Sequence, residues 1–183
     1  DKENLKIFLQ EASVTATENL ILASVLGSRV VKLKNCTKEP HVYDLCQLLI
    51  KMGAKIEGVG SDTLTITGVK NLYGTRFKIG MDFVEVGTFA VAAAITRGKI
   101  TMKGIDSTDL DPVLIPLERF GIKFEKGTNS ITAYAPQLKS IPKLQTNIWP
   151  GFPTDLMSAA IVLATQSKGV TLCHDWMYES RMF

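Results

Sequence analysis

The sequence predicts a mixed α/β fold, and three observations predict it. Apolar helices of small residues recur at a fixed interval, a glycine follows each, and a short β-rich run follows each glycine. The helices lie in "ENLILASVLGSRVVKLKN", "TFAVAAAITRGKITMKGI" and "LMSAAIVLATQSKGVTLCHDW". Their glycines are Gly27, Gly98 and Gly169, spaced 98 − 27 = 71 and 169 − 98 = 71 residues apart. Glycine suits a helix C-cap, which commonly needs a left-handed backbone.

Each unit opens with a short strand, read in "LKIFLQ", "RFKIG" and "LQTNI". The apolar helix and its following strand come next. In the first two copies a second, amphipathic helix follows, in "HVYDLCQLLIKMG" and "DPVLIPLERFG", closed at Gly53 or Gly121. Two β-rich segments around a Gly-containing turn finish the unit, as in "KIEGVGSDTLTITGV" and "KFEKGTNSITAYAP". The third copy stops at Phe183, before its second helix. One unit cannot bury its apolar face alone. The expectation is therefore a piece of a longer protein, with material missing beyond the C-terminus, the alternative being a degenerate third copy that stops there.

Composition bounds the class. A chain of 183 residues forms one large domain or two small ones, and 45% hydrophobic with 21% charged residues is the balance of a soluble globular protein. A net charge of +3 with scattered Lys and Arg gives no nucleic-acid footprint. Apolar runs such as "FAVAAAI" fall far short of the ~20 residues of a membrane span. The opening "DKENLKIFLQ" is acidic and amphipathic, unlike a signal peptide. Cys36, Cys46 and Cys173 show no CxxC spacing, cannot all pair, and have only His41 and His174 for company. Reduced cytosolic thiols are expected rather than a zinc site, with Cys46 in the core of its helix.

The stretch "PGFPTDLMSAAIVLA", residues 150–164, delivers one carboxylate, Asp155, to the start of an apolar run. Such an acid can offset the positive end of a helix dipole, worth roughly 0.3–1 kcal/mol. It can also serve as a base. The repeat equates Asp155 with Val84 (155 − 71 = 84) and with Ser13 (84 − 71 = 13). All three helix starts are rich in Ser, Thr, Asp or Glu, as capping predicts. Pseudo-symmetric units would point their helix N-termini at a common region, suited to an anion such as a diphosphate. Glu39, Asp82 and Glu85 are further candidates there, each with a plain reading as a cap or a solvated charge.

The motifs "SVTATEN", "KEPHVYDL", "LIKMGAKIEGVGSDTLTITGV", "VEVGTFAVAAAITRGKI", "PGFPTDL" and "YESRMF" occur in this order over nearly the whole chain. In this the sequence resembles the UDP-N-acetylglucosamine 1-carboxyvinyltransferases, enolpyruvyl transferases that open bacterial peptidoglycan synthesis. The resemblance implies a pair of inside-out α/β domains, each of three units around buried parallel helices, incomplete in this chain. It puts the domain boundary near "KIGMDFVE", so that 1–80 ends the sugar-nucleotide-side domain and 81–183 begins the second.

The resemblance also implies roles. Asp155 matches the general base for the sugar 3-hydroxyl, and Ser13 and Val14 match the loop that grips the uridine diphosphate. Met177 stands where the family has an aliphatic residue near the sugar nucleotide, a minor departure. Glu39, Asp82 and Arg181 match polar residues around the reaction centre. Substrates would be UDP-N-acetylglucosamine and phosphoenolpyruvate, in the cytoplasm, with no cofactor and no metal. The family's cysteine loop and its lysine–asparagine pair would precede residue 1 and further arginines would follow residue 183, so no cysteine here inherits the loop's role. Alone, the chain is expected to be inactive, and its exposed apolar helix faces would favour oligomerisation or domain swapping. The rival readings are the shikimate-pathway enolpyruvyl transferase and a non-catalytic scaffold of the same fold.

Overall fold

A computed structural model describes residues 4–178 and 181–182. The chain divides into two compact units, Asp1–Gly80 and Met81–Phe183.

The first unit runs β1 (Asn4–Phe8), α1 (Val14–Ser24), β2 (Val30–Lys34), α2 (Pro40–Lys51), β3 (Lys55–Glu57) and β4 (Thr63–Thr67). Its sheet has the order β1-β2-β4-β3. β1 and β2 are parallel, and parallel neighbours need a crossover, which α1 supplies. The other pairs are antiparallel. Strand alternation sends Val31 and Leu33 of β2 inward opposite Ile66 and Leu64 of β4, and all four are buried. Ile21 and Cys46 close this core from the helices. Cys46 is a core residue, as its helical pattern predicts, and burial pushes its thiol up to about 11.

The second unit runs α3 (Phe83–Ile95), β5 (Lys99–Lys103), α4 (Asp111–Arg119), β6 (Lys123–Gly127), β7 (Ser130–Tyr134) and β8 (Lys143–Gln145). A 3-10 turn at Thr154–Leu156 then leads into α5 (Met157–Thr165) and β9 (Leu172–His174). The antiparallel order β5-β7-β6 repeats β2-β4-β3, and the parallel pair β8–β9 repeats β1–β2. α3 is apolar on nearly every face; it buries Phe83, Val86, Ala90, Val91 and Ala94 and leaves Phe89 exposed. It packs on α5, and Ala90 and Ala94 of α3 and Ala160 of α5 are all at most 2% exposed. Gly87 permits the close approach, since a Cβ there would fall 2.6 Å from a methyl of Leu156. In each unit buried helix residues share one apolar cluster with buried strand residues, a mixed α/β arrangement. Among the described residues no sheet closes into a barrel.

Three expectations need correction. "RFKIG" is not a strand: residues 76–80 are irregular, with Ile79 80% exposed, because no neighbouring strand offers them a ladder. The segment is held to α2 instead, by the Gly80 N–H on the Asp44 carboxylate at 2.7 Å and by Lys51 over the Phe77 ring. The three glycines are also not equivalent. Gly27 and Gly169 are left-handed, each following a one-residue bridge (Leu26 to Val69, Lys168 to Lys139) rather than capping a helix. After α3 the left-handed residue is Arg97, at φ 57°, and Gly98 comes one later, its N–H bonding the Ala93 carbonyl at 2.8 Å. The following strands show the slip. β2 and β9 start 172 − 30 = 142 residues apart, two full periods, while β5 starts at 99 instead of 101.

The third correction concerns helix starts. α1 and α3 are capped by Ser13 and Asp82, which are 82 − 13 = 69 residues apart, so Asp82 and not Val84 is the structural counterpart of Ser13. Asp155 is the second residue of a 3-10 turn and caps nothing.

Candidate functional site

In the first unit, Ser13 accepts the Ala16 N–H on its hydroxyl at 3.2 Å, the ordinary N-cap bond. Val14 follows as the first residue of α1. Fully buried Thr17 donates to the Ser13 carbonyl at 2.7 Å and accepts the Thr37 N–H at 3.3 Å. This bridge ties the start of α1 to the segment before α2, and so brings Ser13 and Glu39 into one region. Glu39 occupies the N-cap position of α2 ahead of Pro40 but makes no capping bond. Its Oε2 and the Thr37 hydroxyl are buried and take no hydrogen bond among the described residues. An unpaired buried carboxylate oxygen is costly, so this corner is set to receive a donor.

In the second unit, Asp82 caps α3, accepting the N–H groups of Val84 at 2.8 Å and Glu85 at 3.3 Å. The plain capping reading holds for it. Glu85 is an exposed acid in the first turn of the same helix. Phe83, beside the cap, lies 4.9 Å from the Trp149 ring of the loop that carries Asp155. The Trp149–Pro150 peptide in that loop is cis.

Asp155 is exposed, and its Oδ1 accepts from Arg181 Nη1 at 2.7 Å. Arg181 also lies over the Tyr178 ring, 5.0 Å from its centroid. Among the described residues Asp155 Oδ2 takes no hydrogen bond, which leaves an acceptor beside a fixed cation. Met177 is half-buried, four residues before Arg181. Glu179, Ser180 and Phe183 of "YESRMF" lie outside the described residues.

Sequence reasoning missed Asp175. Its carboxylate accepts from Thr146 Oγ1 at 2.9 Å, from the Met177 N–H at 3.0 Å and from Thr154 Oγ1. Burial alone would raise its pKa, but the bonds from Thr154, Met177 and Thr146 and the charge of Arg181 hold the carboxyl below its usual range. The available signal was weak: one acid directly after the β9 strand, in "CHDWM". The loop's other side forms an open groove of about 520 Å³ with the start of α4, lined by Asp109, Asp111, Trp149 and Phe152. Asp155 does not line it. Among the described residues no cluster of His, Cys, Asp and Glu could hold a metal ion, and no helix is long and apolar enough to cross a membrane.

The chain is 44% identical over 185 residues to the UDP-N-acetylglucosamine 1-carboxyvinyltransferase of Treponema pallidum (strain Nichols), covering 97% of this chain and 44% of that protein. It is 46% identical over 186 residues to the protein of the same name from Borrelia garinii subsp. bavariensis, again covering 97% of this chain and 44% of the relative. The chain thus spans less than half the length of these relatives. The crystal structure of the enolpyruvyl transferase NikO from Streptomyces tendae matches with a TM-score of 0.82 at 22% identity, over 98% of this chain and 46% of that one, a likeness of fold. Residues 1–176 match the sequence profile of EPSP synthase (3-phosphoshikimate 1-carboxyvinyltransferase), and on that match the chain belongs to this family of carboxyvinyl transferases.

Proposed function

We propose that this chain is part of an enzyme that transfers the enolpyruvyl group of phosphoenolpyruvate to the 3-hydroxyl of UDP-N-acetylglucosamine, the opening step of peptidoglycan synthesis in the cytoplasm. The observation that carries the reading is the exposed Asp155 carboxylate, fixed by Arg181 at 2.7 Å with one oxygen left to accept a proton. In the proposed reaction Asp155 takes the hydroxyl proton and the oxygen adds to C2 of phosphoenolpyruvate as C3 gains a proton. The tetrahedral adduct then loses inorganic phosphate and a C3 proton. A positioned base contributes typically ~10²–10⁴ in rate to such an attack.

Ser13 and Val14 would hold the uridine diphosphate, and Met177 would lie against the sugar nucleotide. Glu39, with its unpaired buried oxygen, would accept from the substrate or from a cation beyond this chain. Asp82 would contribute chiefly through the helix start that it caps. Residues 1–80 would end one transferase domain and 81–183 begin the next. The phosphoenolpyruvate site would lie mostly outside the chain, so the chain alone would not turn over and would tend to associate through unpaired apolar faces.

Calorimetric titration of the chain with UDP-N-acetylglucosamine tests the binding half, repeated on Asp155→Ala and Ser13→Ala. Binding that both substitutions weaken is the expected result. The matched profile carries the name of the shikimate-pathway enzyme, so shikimate 3-phosphate is the control ligand. Binding of that ligand in place of the sugar nucleotide would overturn the substrate assignment.

A further inference from the structure

We infer that Asp175 is a positioning residue for Asp155, an inference that rests on the transferase reading above. Its two carboxylate oxygens tie both ends of the loop before Asp155 to the segment that follows β9. Oδ1 accepts from Thr146 Oγ1 at 2.9 Å and from the Met177 N–H at 3.0 Å, and Oδ2 accepts from Thr154 Oγ1. Thr146 begins the loop that Thr154 ends, and Asp155 comes immediately after it. Met177 begins the short run to Arg181. Both members of the Asp155–Arg181 pair therefore depart from one anchor.

The anchor is itself fixed. The Thr146 N–H bonds the His174 carbonyl at 3.1 Å, and Trp176 Nε1 donates to the Thr146 carbonyl at 2.8 Å. Thr146 is fully buried. Hydrogen bonds to an ionised carboxylate are roughly twice as strong as neutral ones, so three of them on one group restrict the loop strongly. The charge of Arg181 also acts on the Asp175 carboxylate. Asp175 and the three groups it holds are not members of the second unit's apolar cluster, although Phe152 and Leu156 beside the proposed base are. That placement distinguishes it from a packing residue.

The test uses the complete protein encoded with this chain, assayed with UDP-N-acetylglucosamine and phosphoenolpyruvate. Misplacing a reacting group by an ångström can cost about 10²-fold in rate. Asp175→Asn is expected to lower kcat by about 10–100-fold, with KM for the sugar nucleotide within about threefold, because the loss falls on the transition state. Thr154→Val, similar in shape but without the hydroxyl, should reproduce that loss, and Thr154→Ser should restore the rate. Amide exchange at Asn147 and Leu156 should quicken about tenfold in Asp175→Asn, a readout independent of activity. Unchanged kcat, equal losses in the Val and Ser variants, or unchanged exchange would each overturn the inference. An unmodified protein that fails to transfer enolpyruvate would overturn the transferase reading instead, and the exchange measurement tells the two failures apart.

Discussion

Arg181 reaches back 26 residues to place Nη1 2.7 Å from Asp155 Oδ1, in the 3-10 turn that leads into α5. The Asp155 side chain is 60% exposed and that of Arg181 32%. Ion pairs so open to water contribute about 0–1 kcal/mol to stability. Structural need is a poor reason for the pair.

Stability and activity should therefore separate at Asp155. In the complete protein, Asp155→Asn is expected to cut turnover by about 10²–10⁴-fold. Its urea unfolding free energy should change by less than about 1 kcal/mol. A loss of activity that tracks a loss of stability would count against a catalytic role.

The helix–strand alternation is written in apolar periodicity, so α3 and the inward Val31 and Leu33 of β2 could be read directly. The 71-residue spacing of glycines was real in sequence but misleading in structure. A left-handed arginine took the capping place at position 97 and shifted β5 by two residues. A single sequence shows residue types and not which backbone position a turn has absorbed. Asp155 stood out because a charge interrupts an apolar run. Asp175 did not, because its partners Thr146 and Thr154 lie 29 and 21 residues away. Hydrogen bonds of that range leave no periodic trace. "RFKIG" failed for a related reason: its composition suits a strand, but strand formation needs a neighbour.

The caps offer a second measurement. Asp82 satisfies two N–H groups at the start of α3, and Ser13 one at the start of α1. Asp82→Ala and Ser13→Ala should each cost about 0.5–2 kcal/mol, seen as a lower midpoint in chemical unfolding. Asp82→Asn should recover most of the loss, since it keeps the accepting oxygen. If it recovers none, the charge of Asp82 matters more than the bond, and a role at the reaction centre gains weight over plain capping.

Asp175 makes stability depend on acid. Its carboxyl is held below the ordinary value against the effect of burial, by three hydrogen bonds and the Arg181 charge. A depressed folded pKa stabilises the fold at pH above the unfolded value of about 3.9, and the gain is lost as pH falls through the lower folded value. The stability difference between wild type and Asp175→Asn should be constant above about pH 5 and shrink below about pH 4. Urea titrations at a series of pH values measure it. A difference that does not shrink in acid would mean that the carboxylate charge is not what holds the loop.

Gly121 separates backbone from side-chain requirements. It follows α4 at φ +101°, and a Cβ there would fall 2.2 Å from the Gln137 carbonyl oxygen. Both faults belong to the main chain, so no rotamer change relieves them. Strain at such a position costs of order 1–3 kcal/mol, and the close approach to a carbonyl adds to it. Gly121→Ala should therefore destabilise by at least ~2 kcal/mol, a large share of a domain's typical 5–15 kcal/mol. Gly98→Ala is the control: it sits at ordinary φ, and its Cβ would come no closer than 3.4 Å to the flexible Thr96 hydroxyl. That change should stay within about 0.5–1 kcal/mol, the size of the ordinary glycine-to-alanine propensity difference. Equal losses at the two positions would show that the second helix does not end in the left-handed turn seen at Gly121.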